Sequence, residues 1–180
     1  MPTEIEAKIK VERLEPYVHR LERLQARSLG KVVQRDHFFD RPEGILKQAD
    51  SALRLRQESH PGRTETIMAF KGPCQAGGNY KRRTEIQFTV GDLRLARKLL
   101  EVLGYIQVFV FEKRRHSWQL DDCTVCLDDL DELGTFIEIE GPDEAAIGRT
   151  AAKLELDPAD HIPASYLRMN LERLNGDTSR

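Results

Sequence analysis

The sequence contains no long apolar run: no stretch of about 18 consecutive apolar residues occurs anywhere in the chain. We therefore predict no membrane-spanning helix and no membrane partner. The opening residues, Met1 to Glu6, also lack the apolar core of a secretory signal peptide. A cytoplasmic location is the default expectation from these two absences.

Cysteine is scarce and the net charge is small. Three cysteines, an odd number, do not make a disulfide framework. The formal net charge of −2 gives no global basic field of the kind that nucleic-acid-binding proteins usually carry. Nucleic acid is therefore not an expected partner, and any site for an anion must be a local concentration of lysine and arginine.

The composition is that of a globular domain, with 32% charged and 39% hydrophobic residues in a chain of 180. No internal repeat, long linker or low-complexity segment is visible. We predict a single domain over residues 1–175 and a flexible C-terminal tail over 176–180. The segment from Gly72 to Asn79 contains one proline and two further glycines, which is typical of a mobile loop.

The hydrophobic pattern predicts more strands than helices. Period-2 alternation indicates strands near 3–11, 35–40, 52–59, 64–70, 81–89, 107–119, 123–129 and 135–140. Helical spacing indicates helices near 16–28, 92–103, 143–154 and 163–174. Pro16 suits the first turn of a helix, and Gly104 suits the end of one.

Several predicted strands carry charged residues at alternate positions. Glu4, Glu6 and Lys8 share one face of the first strand, and Arg54 and Arg56 share one face of another. A solvated sheet face would explain any single strand of this kind. Several in one chain, with four amphipathic helices to cover the apolar faces, favour an α+β fold. This predicted fold is a closed barrel of roughly eight strands, with a charged lumen and with helices packed outside.

Both kinds of charge have a chemical use in such a lumen. Guanidinium groups bind phosphate oxygens in bidentate fashion, so the basic set suits a polyanion. Carboxylates suit Mg²⁺ or Mn²⁺ bound together with substrate phosphates. No P-loop glycine pattern offers another route to a nucleotide. The candidate bases are Lys8, Arg54, Arg56, Lys71, Lys81, Arg83, Lys113 and Arg115, and the candidate acids are Glu4, Glu6, Glu85, Asp128, Glu138 and Glu140.

An ordered series of motifs identifies a family resemblance. The chain resembles the CYTH superfamily, also called triphosphate tunnel metalloenzymes, through nearly its whole length. The family's E-x-E-x-K signature stands at the N-terminus, and later basic and acidic motifs follow in order. The motifs are Glu4-Ile5-Glu6-Ala7-Lys8, Arg54-Leu55-Arg56, Phe70-Lys71-Gly72-Pro73, Lys81-x-Arg83-x-Glu85, Lys113-x-Arg115, Leu127-Asp128, Phe136-x-Glu138-x-Glu140 and Ser165-Tyr166.

The resemblance implies an eight-stranded antiparallel tunnel, a divalent metal and a triphosphate substrate. It is also compatible with a homodimer. By this resemblance Lys8 and Glu6 are the catalytic residues, with Lys8 binding phosphate and orienting the attacking water. The implied metal ligands are Glu4, Glu6, Glu138 and Glu140, and the implied phosphate ligands are Lys8, Arg54, Arg56, Lys71, Arg83, Lys113 and Arg115.

One position departs from the family pattern. Many members carry R-x-E-x-E where this chain has Arg83-x-Glu85-x-Gln87. A neutral amide is a poorer metal ligand than a carboxylate. Either the metal site depends on the other acids, or Gln87 marks a narrower activity.

Three functions stay open from the sequence. The first is metal-dependent hydrolysis of tripolyphosphate, a nucleoside triphosphate or thiamine triphosphate. The second is an adenylate cyclase that converts ATP to cyclic AMP and pyrophosphate. The third is a non-catalytic module that binds polyphosphate or a phosphorylated ligand, although binding alone needs no set of metal-ligating acids.

A few further residues have structural interpretations. Cys123 and Cys126 are three apart on a strand, so they point to opposite faces and are not expected to share a metal. Trp118 is expected to pack in the core. Tyr166 either packs in the core or closes one mouth of the tunnel.

Overall fold

The structure, a computed structural model, describes residues 3–177. Within this range eight antiparallel strands form one closed barrel, which confirms the predicted fold class. Around the barrel the neighbours run in the order β1-β5-β4-β3-β2-β6-β7-β8. The strands are β1 Thr3–Val11, β2 Arg27–Asp40, β3 Ala52–His60, β4 Arg63–Cys74, β5 Lys81–Val90, β6 Ile106–Leu120, β7 Cys123–Leu130 and β8 Gly134–Glu140.

Five α-helices lie in the described part of the chain, four of them predicted. They are α1 Glu15–Arg23, α2 Ile45–Gln48, α3 Leu93–Val102, α4 Glu144–Lys153 and α5 Tyr166–Asp177, and a 3₁₀ turn covers Pro158–Asp160. The carboxylates of Asp92 and Asp143 cap α3 and α4 by accepting hydrogen bonds from backbone N–H groups of the first turn. The single-turn helix α2 is too short to produce a periodic signal.

Two predicted boundaries are wrong. The first helix ends at Arg23, not at residue 28, because Gln25 adopts a left-handed backbone conformation with φ of 56° and turns the chain. β2 then begins at Arg27, eight residues before the predicted start. The missed segment alternates only weakly, because Leu29 and Val33 lie at one parity and Val32 at the other, so its period-2 signal is poor.

The C-terminal helix is displaced relative to its prediction. The predicted span of 163–174 included Pro163, but α5 begins at Tyr166 and extends to Asp177. The predicted tail of 176–180 therefore starts inside α5, and residues 178–180 lie outside the described range. β4 likewise extends to Cys74, so the predicted loop from Gly72 begins in a strand.

The largest hydrophobic core lies outside the barrel wall. β1 points its apolar side chains outward, where Ile9 joins Val125 of β7 and Ile139 of β8. Helices α1 and α4 cover this face with Leu21 and Ile147, both fully buried. The alternation in β1 thus assigns apolar residues to this core and charged ones to the lumen.

A smaller cluster lies under α3 on the opposite side of the barrel. Leu100 of this helix is buried against Phe39 and Leu55 of the wall. The neighbouring Leu99 is 56% exposed, and Leu95 is 71% exposed. The helical spacing of the leucines therefore identified the helix, but only part of its apolar surface faces the protein.

None of the described helices combines the length and the apolar character that crossing a membrane requires. This finding agrees with the absence of any long apolar run in the sequence.

Two adjacent residues of α3 provide a matched test of this packing. Leu100→Ala should lower the free energy of unfolding by about 2–5 kcal/mol, since it removes a buried side chain. Leu99→Ala should change it by less than about 0.5 kcal/mol, because that side chain is mostly exposed. Chemical denaturation of both variants checks the difference, and equal losses would show that α3 packs through another face.

Candidate active site

The lumen of the barrel holds a cavity of about 280 Å³ lined mainly by charged side chains. The structure brings all of the predicted site residues into its lining except Asp128. Two further acids, Asp36 and Glu58, also line it. The basic lining residues are Lys8, Arg54, Arg56, Lys71, Lys81, Arg83, Lys113 and Arg115, and the acidic ones are Glu4, Glu6, Asp36, Glu58, Glu85, Glu138 and Glu140.

The strand pairing between β1 and its two neighbours places acids beside bases. Glu4 is opposite Arg83 and Glu6 is opposite Lys81 on β5, while Lys8 is opposite Glu138 on β8. Residues directly opposite on one face are within reach of each other. The E-x-E-x-K spacing therefore delivers three charges to the lumen at consecutive levels of the barrel.

The two acids of β1 each contact a lysine. The Lys71 ammonium lies 2.6 Å from a Glu4 oxygen and 3.3 Å from Glu85, and Lys81 lies 2.5 Å from Glu6. Burial alone would raise the pKa of Glu6, but the ammonium groups of Lys81, Lys8 and Lys71 together outweigh it and lower that pKa to about 2. Glu6 is therefore ionised at neutral pH although it is buried.

Lys8 is held from three sides. Its Nζ donates to the carbonyl oxygen of Ala164 at 3.0 Å, lies 3.2 Å from Glu138 and is 4.1 Å from the centre of the Tyr166 ring. Its backbone N–H donates to Nδ1 of His161 at 3.0 Å. These contacts fix the ammonium in one place inside the tunnel.

Asp128 lies behind the lining and organises two of the bases. It is fully buried and accepts hydrogen bonds from Lys113 at 2.8 Å, from Arg115 at 2.6 and 2.5 Å, and from the Tyr166 hydroxyl at 3.0 Å. With both oxygens engaged, this carboxylate is placed to orient bases, not to reach the lumen. Arg115 also contacts Glu138.

The aromatic ring of Tyr166 closes part of the tunnel. It packs edge-on against Phe136 and Phe111, with ring centres 5.3 and 6.4 Å apart. Its ring also lies 4.7 Å from the Lys113 ammonium. Tyr166 is buried and lines the cavity, which confirms that it packs in the core. Closure of a tunnel mouth by this ring stays a prediction.

Asp36 is a site residue that the sequence analysis missed. Its oxygens accept a bidentate pair of hydrogen bonds from Arg56 at 2.6 and 2.7 Å. Although burial opposes ionisation, Arg56 and Arg54 hold the pKa of this carboxyl well below its usual range. A signal for both acids exists in the sequence, because Asp36 alternates with Phe38 in β2 and Glu58 continues the alternation of Arg54 and Arg56.

Arg54 differs from the other bases because it has no close partner. Among residues 3–177, its guanidinium makes two ion pairs, each at 3.8 Å, to Asp36 and Glu85. Its Nε is buried and has no hydrogen-bond partner among the described residues. A buried guanidinium without hydrogen bonds is costly, so this geometry points to a ligand that is bound in the tunnel.

The remaining predicted residues occupy the rim or the wall. Arg83 donates to Sγ of Cys74 at 2.7 Å and lies 3.4 Å from Asp50. Gln87 lines the cavity and is exposed, opposite Ala69 of β4. Cys123 and Cys126 point to opposite faces of β7, as predicted. Cys123 is in the outer core, and Cys126 faces the lumen.

The acids at one end of the lumen fit a divalent cation. Burial and the nearby Glu6 carboxylate raise the pKa of Glu4 to about 7, and burial raises the pKa of Glu140. Among the described residues, Glu140 has no ion-pair partner. Glu140 is directly opposite Glu6 in the β1–β8 pairing. Mg²⁺ or Mn²⁺ would neutralise the mutual repulsion of these crowded carboxylates.

No group of three acids, cysteines or histidines within residues 3–177 forms a ready-made metal cage. The acids are instead engaged by lysine and arginine side chains. Mg²⁺ commonly binds through one or two carboxylates with the rest of its ligands from water and substrate phosphates. The arrangement therefore suits a cation that arrives with a phosphorylated substrate.

Comparison with known proteins identifies the family of the chain. The sequence matches the family profile described as CYTH domain over residues 2–166. The chain belongs to the CYTH domain family. A protein of Methanocaldococcus jannaschii named "Putative adenylate cyclase MJ0240" is 28% identical over 137 residues, which cover 76% of this chain and 75% of that protein.

Solved structures share the fold. The PH1819 protein of Pyrococcus horikoshii has 27% sequence identity and a TM-score of 0.78, covering 94% of this chain and 99% of that one. HpAC1 of Hippeastrum, described as a putative adenylyl cyclase with a dominant triphosphatase activity, has 18% identity and a TM-score of 0.68. That match covers 91% of this chain and 93% of the Hippeastrum chain, and it shows a common fold alone.

The raised pKa of Glu4 has a consequence for stability in metal-free protein. Between pH 4.5 and about 7 the folded state keeps a proton on Glu4 that the unfolded state has lost. Ionisation of Glu4 therefore makes the free energy of unfolding fall as the pH rises through this range. Glu4→Gln removes this contribution, so the variant should lose less stability than the wild type over the same interval.

Denaturant titrations of both proteins at several pH values, with EDTA present, measure this difference. Histidines and acids remote from Glu4 contribute equally to the two proteins, so the difference between the curves reports Glu4 together with its neighbours Glu6 and Glu85. Parallel curves would contradict the assignment.

Proposed function

We propose that the protein hydrolyses the terminal phosphate of a triphosphate-bearing small molecule held in the tunnel, with Mg²⁺ or Mn²⁺ as cofactor. The observation that carries this proposal is the guanidinium of Arg54, which lies in a cavity lined by seven further bases. Its two ion pairs are both 3.8 Å long, and its buried Nε has no hydrogen-bond partner among the described residues. A cavity of about 280 Å³ is small for a whole nucleotide but suits a phosphate chain. The CYTH family membership supports the same substrate class.

The bases divide into two groups by their freedom to bind phosphate. Asp36 orients Arg56, and Asp128 orients Arg115, each through a bidentate contact. The remaining N–H donors of the two guanidinium groups are then directed toward the lumen. Arg54 is free to donate all of its hydrogen bonds. Prepositioned donors of this kind stabilise charge that develops on a phosphoryl group during its transfer.

The metal would be held by Glu4, Glu6, Glu138 and Glu140 together with substrate phosphates. When bound, it supplies neutralisation of phosphate charge. Glu85 lies 3.3 Å from Lys71, so its main contact is a base. Asp128 serves in this proposal as a positioning residue for Lys113 and Arg115, in place of the ligand role expected from the sequence.

Lys8 is the residue best placed to orient an attacking water. The ammonium is held by Ala164, Glu138 and the Tyr166 ring, so it has one position in the lumen. Positioning of the nucleophile and neutralisation of charge are the main protein contributions to phosphoryl transfer.

A second candidate is adenylate cyclisation, which the name of the Methanocaldococcus jannaschii relative favours. The same bases would hold the triphosphate, and the nucleophile would change from water to the ribose 3′-hydroxyl. Attack would then fall on the α-phosphorus instead of the γ-phosphorus.

A cytoplasmic location and a homodimer also stay predictions.

Product analysis separates these reactions. The protein is incubated with Mg²⁺ or Mn²⁺ and tripolyphosphate, ATP or thiamine triphosphate, and the products are resolved by chromatography. Orthophosphate release is the expected result. Cyclic AMP with pyrophosphate would support the cyclase instead, and tight tripolyphosphate binding without turnover would identify a binding module.

Loss of the Glu6 carboxylate should abolish turnover. Glu6→Gln is expected to lower kcat by about 100-fold or more, the scale seen when one preorganised electrostatic group is removed from an active site. Glu12→Gln, a change at an exposed acid of the same chain segment, is the matched control. Phosphate release and circular dichroism are measured together, and normal activity in folded Glu6→Gln would remove Glu6 from the site.

Arg54 should matter mainly for substrate binding. Arg54→Ala is expected to raise KM by about tenfold or more, the loss of one or two hydrogen bonds to a charged group. It leaves the bidentate pair of Asp36 and Arg56 in place, so the fold should persist. Arg63→Ala, at an exposed arginine of β4, should leave KM unchanged. A normal KM in Arg54→Ala would contradict the phosphate role of this side chain.

A further inference from the structure

The pairing between β1 and β5 stops short of Lys8. It joins residues 3–6 of β1 to residues 81–84 of β5, and its last pair is Glu6 with Lys81. Because β5 begins at Lys81, this ladder cannot continue to Lys8, which lies two residues further along β1 and is 2% exposed. Buried backbone N–H and C=O groups without partners are costly, so another part of the chain has to meet those of Lys8.

Residues 161–164, which connect the 3₁₀ turn to α5, fill this gap in the barrel wall. The backbone N–H of Lys8 donates to Nδ1 of His161 at 3.0 Å, and its C=O accepts from the N–H of Ile162 at 2.8 Å. A single antiparallel bridge joins Ile9 to His161. The imidazole of His161 therefore takes the place that a backbone carbonyl of a neighbouring strand has in a regular ladder.

The same short segment also holds the other end of Lys8. Its Nζ donates to the carbonyl oxygen of Ala164 at 3.0 Å and lies 4.1 Å from the centre of the Tyr166 ring. The backbone and the ammonium of Lys8 are thus tied to neighbouring residues of one segment. The position of the ammonium in the lumen depends on how closely this segment is held against β1.

The ring of His161 is itself oriented for this contact. It packs edge-on against Tyr80, with ring centres 5.6 Å apart and an interplanar angle of 84°, and Tyr80 is buried in the outer core. Nδ1 can accept a hydrogen bond only while it carries no proton, so the ring has to be the neutral Nε2–H tautomer. Burial lowers the pKa of His161, which favours the neutral ring.

We propose that His161 is a positioning residue for Lys8. By accepting the hydrogen bond from the Lys8 backbone, it holds residues 161–164 against β1 and so fixes the ammonium that orients the attacking water. This role of the ammonium rests on the proposed function. His161 lies outside the lining of the lumen, so it acts through Lys8 and does not touch the substrate.

The test uses two variants of similar shape. His161→Leu and His161→Asn introduce side chains with the same branched outline, but only asparagine presents an oxygen acceptor near the place of Nδ1. His19→Leu is the control, because the side chain of His19 on α1 is 74% exposed. Crystal structures give the distance from Lys8 Nζ to the Ala164 carbonyl oxygen, and assays with Mg²⁺ or Mn²⁺ and tripolyphosphate give kcat and KM.

We expect His161→Leu to separate the ammonium from Ala164 and to lower kcat by about tenfold or more, since small misplacements of a catalytic group are costly. KM should change by less than about twofold, because seven further bases still hold the phosphates. His161→Asn should keep the distance and most of kcat, and the control should change neither. A Lys8 ammonium that stays in place in His161→Leu, or equal kcat in the leucine and asparagine variants, would overturn the assignment.

The wild type provides a second measurement should the leucine variant fail to fold. Long-range ¹H–¹⁵N spectra of protein with labelled histidine show which ring nitrogen carries the proton, and His161→Asn identifies the signals that belong to His161. At mildly alkaline pH we expect an unprotonated Nδ1. A proton on Nδ1 would overturn the assignment, because that ring could not accept from Lys8.

The structural and kinetic results also separate the two proposals. Displacement of Lys8 in His161→Leu, in a protein whose wild type turns over no triphosphate, would support the positioning role and contradict the hydrolase. Turnover by the wild type that His161→Leu leaves unaltered would do the reverse.

Discussion

Ion pairing across the lumen is the constraint on which the rest of this structure depends. Eight bases and seven acids face one cavity, and ionised groups in such a place need partners or water. The strand register supplies those partners by placing Glu6 beside Lys81 and Lys8 beside Glu138. A register slip of one residue in β1 would send these charges into the outer core and Ile9 into the lumen. The pairing that closes the barrel therefore also assembles the candidate site.

The outer faces of the strands stabilise the fold, and the inner faces of the same strands form the candidate site. Buried ion pairs contribute little net stability, because desolvation offsets their attraction. The outer clusters under α1, α4 and α3 provide the hydrophobic burial that the lumen lacks. This division lets the inner face be charged without loss of the fold. In the proposed complex, Lys71 and Lys81 exchange their carboxylate partners for phosphate, while Glu4 and Glu6 exchange lysine for the metal.

Much of the fold could be predicted from the sequence, because charge alternated with apolar residues in strands such as β1. The charged lumen, the barrel and four helices follow from that pattern and from the motif order. The start of β2 could not be found, since Arg27 and its neighbours alternate weakly and the turn depends on the backbone of Gln25. Asp36 lies within the predicted strand 35–40, but a single acid alternating with Phe38 does not reveal that it faces the lumen.

The sequence also could not predict which charged residues line the lumen and which lie behind other side chains. Asp128 shares the alternation of the lining residues, yet it lies behind Lys113 and Arg115 and contacts both. Alternation gives the face on which a side chain lies but not what lies in front of it. A second cavity, which residues of β2, β6 and α5 line, has no local signature either, because these elements meet there only in three dimensions.

A crystal structure with tripolyphosphate and Mn²⁺ tests the central claim most directly. The phosphate chain is predicted to lie in the lumen with Arg54 and Arg115 within hydrogen-bond distance, and anomalous scattering is predicted to place manganese beside Glu6 and Glu140. Tripolyphosphate bound on the outer surface with an unaltered lumen would contradict it.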